Sequence, residues 1–332
     1  MNSKFISKRI IESIIIILCI ITINFMLVRF MPGDPVLHII GEENYMRMEV
    51  EKPEAIEKVR HDYGLDQPVY VQYIKYLGKT IQLDFGYSYR TKAPVINTLL
   101  QRMRWTLILS VPSVIISALL GGWLGLQAGW KPGKALDMVV SPVMLILSTI
   151  PSNCLAILML FVLAFKMALF PIAGMTSGNL EGSAKTLDII WHMTLPMISL
   201  IILRMPSYYM LMKSNISSIY REEYITVARS KGFTPRQVLR RHVLKNALSP
   251  LITEGFMQFG RILAGSMMVE IIFSWQGMGT LIYDSVNGKD FPMLQTCFLF
   301  IGVCVVACNL LADIVNMIID PRVRENVTSG WD

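Results

Sequence analysis

Apolar residues along the chain gather into six long runs, at 11–28, 105–128, 139–165, 189–212, 251–273 and 293–319. Each is close to or above the ~18–20 residues that carry a helix across a hydrocarbon core. The pattern therefore predicts an all-α, polytopic membrane protein with six transmembrane helices. The polar stretches between the runs are unequal, and 36–104 is the longest. Within it, 53–63 reads as a charged helix ended by Gly64. Leu65-Asp66-Gln67-Pro68 then opens an amphipathic helix through Tyr70, Tyr73, Ile74 and Leu77. Inside the runs, Pro142 and Pro151 mark the third, and Pro196, Arg204 and Pro206 the fourth. A proline in a span frees carbonyls that neighbours or water must satisfy, so each marks a kink or pathway wall, or is tolerated by packing. Gly121, Gly122 and Gly125 of the second run allow helix backbones to approach closely.

Composition strengthens the membrane reading. The 332 residues are 53% hydrophobic and 17% charged, and mean hydropathy is +0.48. A soluble chain carries about a quarter charged residues. The first run follows Lys4, Lys8 and Arg9, as a signal peptide would, but it spans and no small-residue cleavage site follows it. It is read as span one, with the amino end in the cytoplasm. A net charge of +7 is positive-inside bias rather than nucleic-acid binding. The loop 213–245 holds eight Lys and Arg against Glu222 and Glu223, which places it inside. Both termini then lie in the cytoplasm, and 36–104, 166–187 and 274–292 lie outside. Arg102 and Arg104 run against the rule, which long loops obey weakly.

The basic loop is more ordered in its grammar than a tether needs to be. Tyr220, Tyr224, Val227, Ala228 and Lys231 recur at helical spacing, and Gly232 follows as a left-handed C-terminal cap. Thr234-Pro235-Arg236-Gln237 restarts the chain as a capping box with proline at the first helical position. The reading is helix, tight turn, helix; the plain alternative is a solvated basic loop.

The segment Glu223-Tyr224-Ile225-Thr226-Val227-Ala228-Arg229-Ser230-Lys231-Gly232 resembles the EAA loop of binding-protein-dependent ABC importer permeases. With Arg241 to Pro250 it is similar to the peptide/nickel permease branch. Thr226 and Val227 stand where the name-giving Glu and first Ala would be, and Lys245 where Pro is usual. Further resemblances are Pro32-Gly33-Asp34-Pro35 after the first run, GLDQPVYVQY from Gly64, the Phe273–Gly279 stretch with Gln276 in place of the usual Pro, and Asp320-Pro321-Arg322-Val323-Arg324. They cover nearly the whole chain in the expected order. The resemblance implies the type I ABC permease fold and a coupling loop at 213–250 that docks on an ATPase subunit. Carried over residue by residue, Glu223, Tyr224, Ala228, Arg229, Lys231, Gly232 and Thr234 form that loop. It also implies 1–104 as first span plus extracytoplasmic segment, 105–325 as the five-helix core and 326–332 as a cytoplasmic tail. The implied partners are a second related permease, two ATP-binding subunits, an extracytoplasmic solute-binding protein and the bilayer. The implied site is the cytoplasmic membrane of a prokaryote.

Chemistry of the chain's own is sparse. Arg261, Glu270 and Asp313 sit in apolar runs, where a charge costs ~2.5–3.5 kcal/mol or more. They are polar contacts on the translocation path, or interhelix or intersubunit pairs; the place of Glu270 near the outer end of its span favours the second. The segment after 36 either receives a solute-binding protein or caps the helix ends. His38, His61, His192 and His242 are scattered, and Cys19, Cys154, Cys297, Cys304 and Cys308 form no CxxC. Neither a metal site nor a disulfide framework is expected, and the 22 methionines read as packing. Gly133-Lys134 is followed by Ala135, so no phosphate-binding P-loop is present. The chain is expected to be no enzyme and to hold no cofactor, with ATP and Mg on the partner subunits. The cargo expected is short peptides, with nickel or a metal chelate as the alternative. A secondary transporter is the rival class, for which paired repeats are missing.

Overall fold

The computed structural model describes residues 3–30, 34–62, 64–178 and 180–319. The breaker at 31–33, Tyr63, the terminal motif at 320–324 and the tail at 326–332 lie outside the described residues. Among those described there is no strand, and Tyr87 and Pro94 form an isolated antiparallel bridge. In chain order the helices are α1 (Ser3–Arg29), α2 (Pro35–Ile40), α3 (Glu42–Glu51), α4 (Pro53–Asp62), α5 (Val69–Ile81), α6 (Val95–Trp130), α7 (Ala135–Thr149) and α8 (Ser152–Met159). They continue as α9 (Gly182–Ile219), α10 (Glu223–Ser230), α11 (Pro235–Val238), α12 (Leu244–Gly265), α13 (Met267–Ile272), α14 (Met278–Asn287) and α15 (Phe291–Ile319). Wider π turns, Leu160–Lys166 and Leu239–Val243, extend α8 and α11.

The long helices α6 and α9 run parallel and form the spine. Glycines at every fourth position of α6 set their separation. A Cβ at Gly121 would stand 2.6 Å from the Met205 carbonyl oxygen, and one at Gly129 2.8 Å from that of Lys213. At Gly125 it would press on the Tyr209 carbonyl and lie 2.9 Å from Met212 Cβ. No side chain fits there without moving a backbone. Gly125→Leu is therefore expected to cut membrane-inserted protein about tenfold or more, since overpacking costs ~1–3 kcal/mol even where neighbours can yield. Gly255→Ala, with open space around it, is the control. Immunoblots of isolated membranes at matched transcription read the difference.

The predicted spans are met unevenly. Four helices are long and apolar enough to cross a membrane among the described residues: Ser7–Leu27, α6, α9 and Phe291–Val315. The third run is not one straight span. It breaks between α7 and α8 with a 105° bend, because Pro151 fixes its own φ at −58° and Ile150 before it is extended at φ −76°, ψ 123°. Pro142 stays within α7. The bent pair makes a fifth span if counted as one. The run at 251–273 does not reach that standard. It is divided at Ser266 into α12 and α13, and Glu254, Gln258 and Arg261 dilute its apolar character. The second run also begins earlier than its apolar residues suggest: α6 starts at Val95 after the extended Pro94.

Helix α1 lies on α15. Asn24 Nδ2 donates to the Gln295 carbonyl at 2.6 Å, and Gln295 Nε2 returns a bond to the Asn24 carbonyl at 3.3 Å. The polar segment packs on this pair through α5. Its contact face is Tyr73, Tyr76 and Thr80: the Tyr73 hydroxyl meets Thr22 at 2.7 Å, and both tyrosine rings flank Phe25. Tyr70 and Ile74, expected on that face, are instead exposed. Asp34 ties α2 to α4 by accepting from Val36 N at 3.0 Å and pairing with Arg60 at 2.7 Å. At the other end of the segment, buried Asp290 accepts from the Ser88 hydroxyl and from Tyr89 N, the latter at 3.1 Å.

Candidate functional site

The basic loop is a rigid bracket. Helix α9 runs down to Ile219, the chain turns, and α10 begins at Glu223. Its end is a Schellman motif: Gly232 N bonds the Arg229 carbonyl at 2.9 Å and Phe233 N the Ala228 carbonyl at 3.4 Å. Gly232 sits at φ +81°, which only glycine adopts without strain. The capping box is reciprocal: Gln237 N donates to Thr234 Oγ1 at 3.4 Å and Thr234 N to Gln237 Oε1 at 2.8 Å. From there α11 and its π turn feed directly into α12.

A small apolar core holds the bracket to the bundle. Ile225, Ala228, Val238, Val243 and Ala247 are buried with Met212 and Ile216 of α9, and Leu126 and Trp130 of α6 pack against them. The buried face of α10 is therefore Ile225 and Ala228. The stripe from Tyr220 to Lys231 is not that face, for Tyr220, Val227 and Lys231 are exposed. Tyr220 precedes the helix, so helical spacing does not extend through it. Its ring stands edge-on to Trp130 at 5.4 Å and carries the Arg229 guanidinium at 3.9 Å.

The other expected loop residues separate by exposure. Glu223, Arg229, Lys231, Gly232 and Thr234 are exposed. Tyr224 is half-buried, and its hydroxyl accepts from Asn246 Nδ2 at 3.0 Å, crossing from α10 to α12. Ala228 is 5% exposed and faces the chain's own core. Beside α10 a polar cavity of about 600 Å3 is lined by Ser214, Ser217, Ser218, Arg221, Glu222 and Glu223. A second brace went unseen in the sequence. Lys213 Nζ reaches Asp137 Oδ1 at 2.6 Å and the Ser141 hydroxyl at 2.7 Å. Asp137 also accepts from Gly133 N at 2.9 Å. This ties the α6–α7 turn to the foot of α9, across a sequence distance that no local pattern spans.

The three charges in apolar runs take three different positions. Glu270 is fully buried and joins α13 to α6 and α14, accepting from Ser266 Oγ at 2.9 Å, Thr106 Oγ1 at 2.8 Å and Gly279 N at 2.7 Å. Asp313 lies 3.3 Å from Arg9 and so links α15 to α1. Arg261 lies 3.9 Å from Glu254 on its own helix, with its side chain 54% exposed. Arg204, marked only as a residue of the fourth run, donates to Ser113 Oγ at 2.6 Å and the Ser110 carbonyl at 3.3 Å, holding α9 to α6. No group of three His, Cys, Asp or Glu converges among the described residues, and their five cysteines are unbridged.

Residues 117–325 match the family described as binding-protein-dependent transport system inner membrane component. Residues 2–110 match the family of the N-terminal part of such membrane components. Among curated proteins, the oligopeptide transport system permease protein AppB of Bacillus subtilis (strain 168) is 33% identical over 323 residues, covering 97% of this chain and 99% of AppB. The di/tripeptide transport system permease protein DppB of Pseudomonas aeruginosa (strain UCBPP-PA14) is 29% identical, covering 91% of this chain and 93% of that one. A crystal structure of an amino acid ABC transporter with histidines overlays on 68% of this chain and 94% of its own, with a TM-score of 0.48 and 16% identity.

Proposed function

The chain belongs to the family of binding-protein-dependent transport system inner membrane components, and from that premise we propose that it is the permease subunit of an ATP-driven importer of short peptides. The observation that carries the cargo is that its matches to permeases named for oligopeptide and di/tripeptide transport run almost end to end. This favours peptides over nickel or a metal chelate. A second related permease would complete the pathway. Two ATP-binding subunits would hold ATP and Mg, and an extracytoplasmic binding protein would deliver cargo.

The bracket α10–α11 supports a lever role. It is capped at both sides of its turn, and its floor is built from α6, α9 and α12. A push on α10 therefore moves three helices rather than bending a tether. Glu223, Arg229, Lys231 and Thr234 are the residues we place against the ATP-binding subunit. Ala228 acts from beneath, buried in the core that also holds Met212 and Ile216 of α9. Closure of the nucleotide-bound subunits would shift this bracket and swing the helices between outward- and inward-facing states. We also propose that α12 with α13 forms the sixth span and that both termini are cytoplasmic.

The test is uptake of a labelled tripeptide in cells expressing this chain with its binding protein and partner permease, with and without the ATP-binding subunits. Uptake is expected only with them. Uptake that persists without them and collapses when the proton gradient is discharged would instead establish a secondary transporter. Topology has its own check. In a background lacking the five cysteines of the chain, Gly178→Cys is expected to react with an impermeant thiol reagent in intact cells. Ser218→Cys is expected to react only after permeabilisation.

A further inference from the structure

Glu254, Gln258 and Arg261 repeat at helical spacing along one stripe of α12. Gln258 Nε2 donates to Glu254 Oε1 at 2.7 Å, and Arg261 Nη2 stands 3.9 Å from that same oxygen. That distance is the outer limit of an ion pair, so the guanidinium, with five N–H donors, retains capacity for another acceptor. Both charges are accessible, Arg261 at 54% and Glu254 at 23% of the side chain. Such a stripe on a spanning helix is costly against lipid tails and faces a partner or a watered cavity instead.

A second observation comes from α9. The Tyr208 side chain is fully buried, and its hydroxyl has no hydrogen-bond partner among the described residues. It lies within electrostatic range of Glu254, Arg204 and Arg261. A buried unpaired hydroxyl is destabilising, which makes it a group kept for something that arrives.

We propose that the Glu254–Gln258–Arg261 stripe lines the translocation path and reads the charged ends of a transported peptide. Arg261 takes the terminal carboxylate, Glu254 the terminal ammonium, and Tyr208 a backbone carbonyl when the helices part. This rests on the peptide-importer reading above. The dimensions agree. Glu254 and Arg261 are about 10 Å apart along the helix axis, and an extended di- or tripeptide covers about 7–10 Å. The loose ion pair serves as the stand-in that holds both charges until cargo separates them.

The experiment uses the complete transporter in proteoliposomes with peptide-loaded binding protein, and three probes: trialanine, trialanine amide and N-acetyl-trialanine. Arg261→Gln is expected to lower trialanine uptake about tenfold while leaving trialanine amide at the wild-type rate. Glu254→Gln is expected to do the same for trialanine but to spare the N-acetylated peptide. Gln258→Cys, in the cysteine-free background, is expected to react with a hydrophilic methanethiosulfonate and to be protected during turnover with trialanine. Equal losses on free and capped peptides, or a Gln258→Cys variant inert to the reagent, overturn the stripe assignment while the peptide reading stands. A wild-type complex that moves none of the three peptides overturns the peptide reading, and the assignment falls with it.

Discussion

Gly232→Val is expected to leave the chain inserted in the membrane while lowering co-purification of the ATP-binding subunits by about tenfold, and uptake with it. The reasoning is local. Gly232 is held at φ +81° by two closing bonds of the Schellman turn. A residue with a Cβ pays ~1–2 kcal/mol there, and a β-branched one lies at the upper end. About 1.4 kcal/mol is a factor of ten in an association constant. Among the described residues, nothing beyond its two chain neighbours lies within 4 Å of the position a Cβ would take, so the effect is backbone strain and not collision. That gives a graded series. Gly232→Asn, which tolerates the left-handed region, is expected to fall between Gly232→Val and wild type. Thr234→Ala removes the cap that Gln237 N uses, worth ~0.5–2 kcal/mol, and is expected to weaken association more mildly. Pull-down of the ATP-binding subunits at matched expression ranks the three. If Gly232→Val retains normal association and normal uptake, the bracket is not the coupling element, and the plain reading of a solvated basic loop takes its place.

What made the bracket legible in the sequence was local chemistry. A glycine before Thr-Pro-x-Gln specifies a cap, a turn and a restart within a few bonds, and those bonds form as expected at Gly232, Thr234 and Gln237. The wrong face of α10 was a failure of the same local logic. Tyr220 keeps helical spacing with Tyr224 but lies on the far side of a turn, and the buried face is set by Met212 and Ile216 from another helix. Helix α3 has no buried residue and so no apolar stripe to read; α14 has one, Met278, Leu281 and Ile282, but it is only ten residues long within a polar stretch. The bend at Ile150–Pro151 was marked by its proline, but its 105° size depends on how α7 and α8 pack. The links from Lys213 to Asp137 and from Asn24 to Gln295 join residues distant in sequence. Only the assembled fold makes them visible.

Glu270→Ala is expected to destabilise the far end of the bundle more than any other removal of an intramembrane charge. The carboxylate receives Thr106 Oγ1 from α6, Gly279 N from α14 and Ser266 Oγ from the junction of α12 and α13. Thr106 Oγ1 accepts in its turn from Met278 N at 2.7 Å. Without the carboxylate, Thr106 Oγ1 and Gly279 N stay buried without that acceptor, at ~1–3 kcal/mol each, while Ser266 Oγ keeps the Ile262 carbonyl at 3.1 Å. Even a partial loss equals a large share of the ~5–15 kcal/mol by which a domain is stable. Glu270→Gln keeps one acceptor oxygen and is expected to lie between alanine and wild type. Asp313→Asn is the contrast. Its pair with Arg9 is half exposed, with side chains at 35% and 42%, and exposed pairs contribute ~0–1 kcal/mol, so it is expected to melt within a few degrees of wild type. Thermal unfolding of the detergent-solubilised chain, followed by monodispersity on gel filtration, orders these variants. A Glu270→Ala protein that melts like wild type yet transports nothing would move Glu270 from the frame of the fold to the transport path. Wild-type melting together with wild-type transport would mean that Thr106 and Gly279 find other acceptors, and that the joint between α6, α13 and α14 does not depend on this carboxylate.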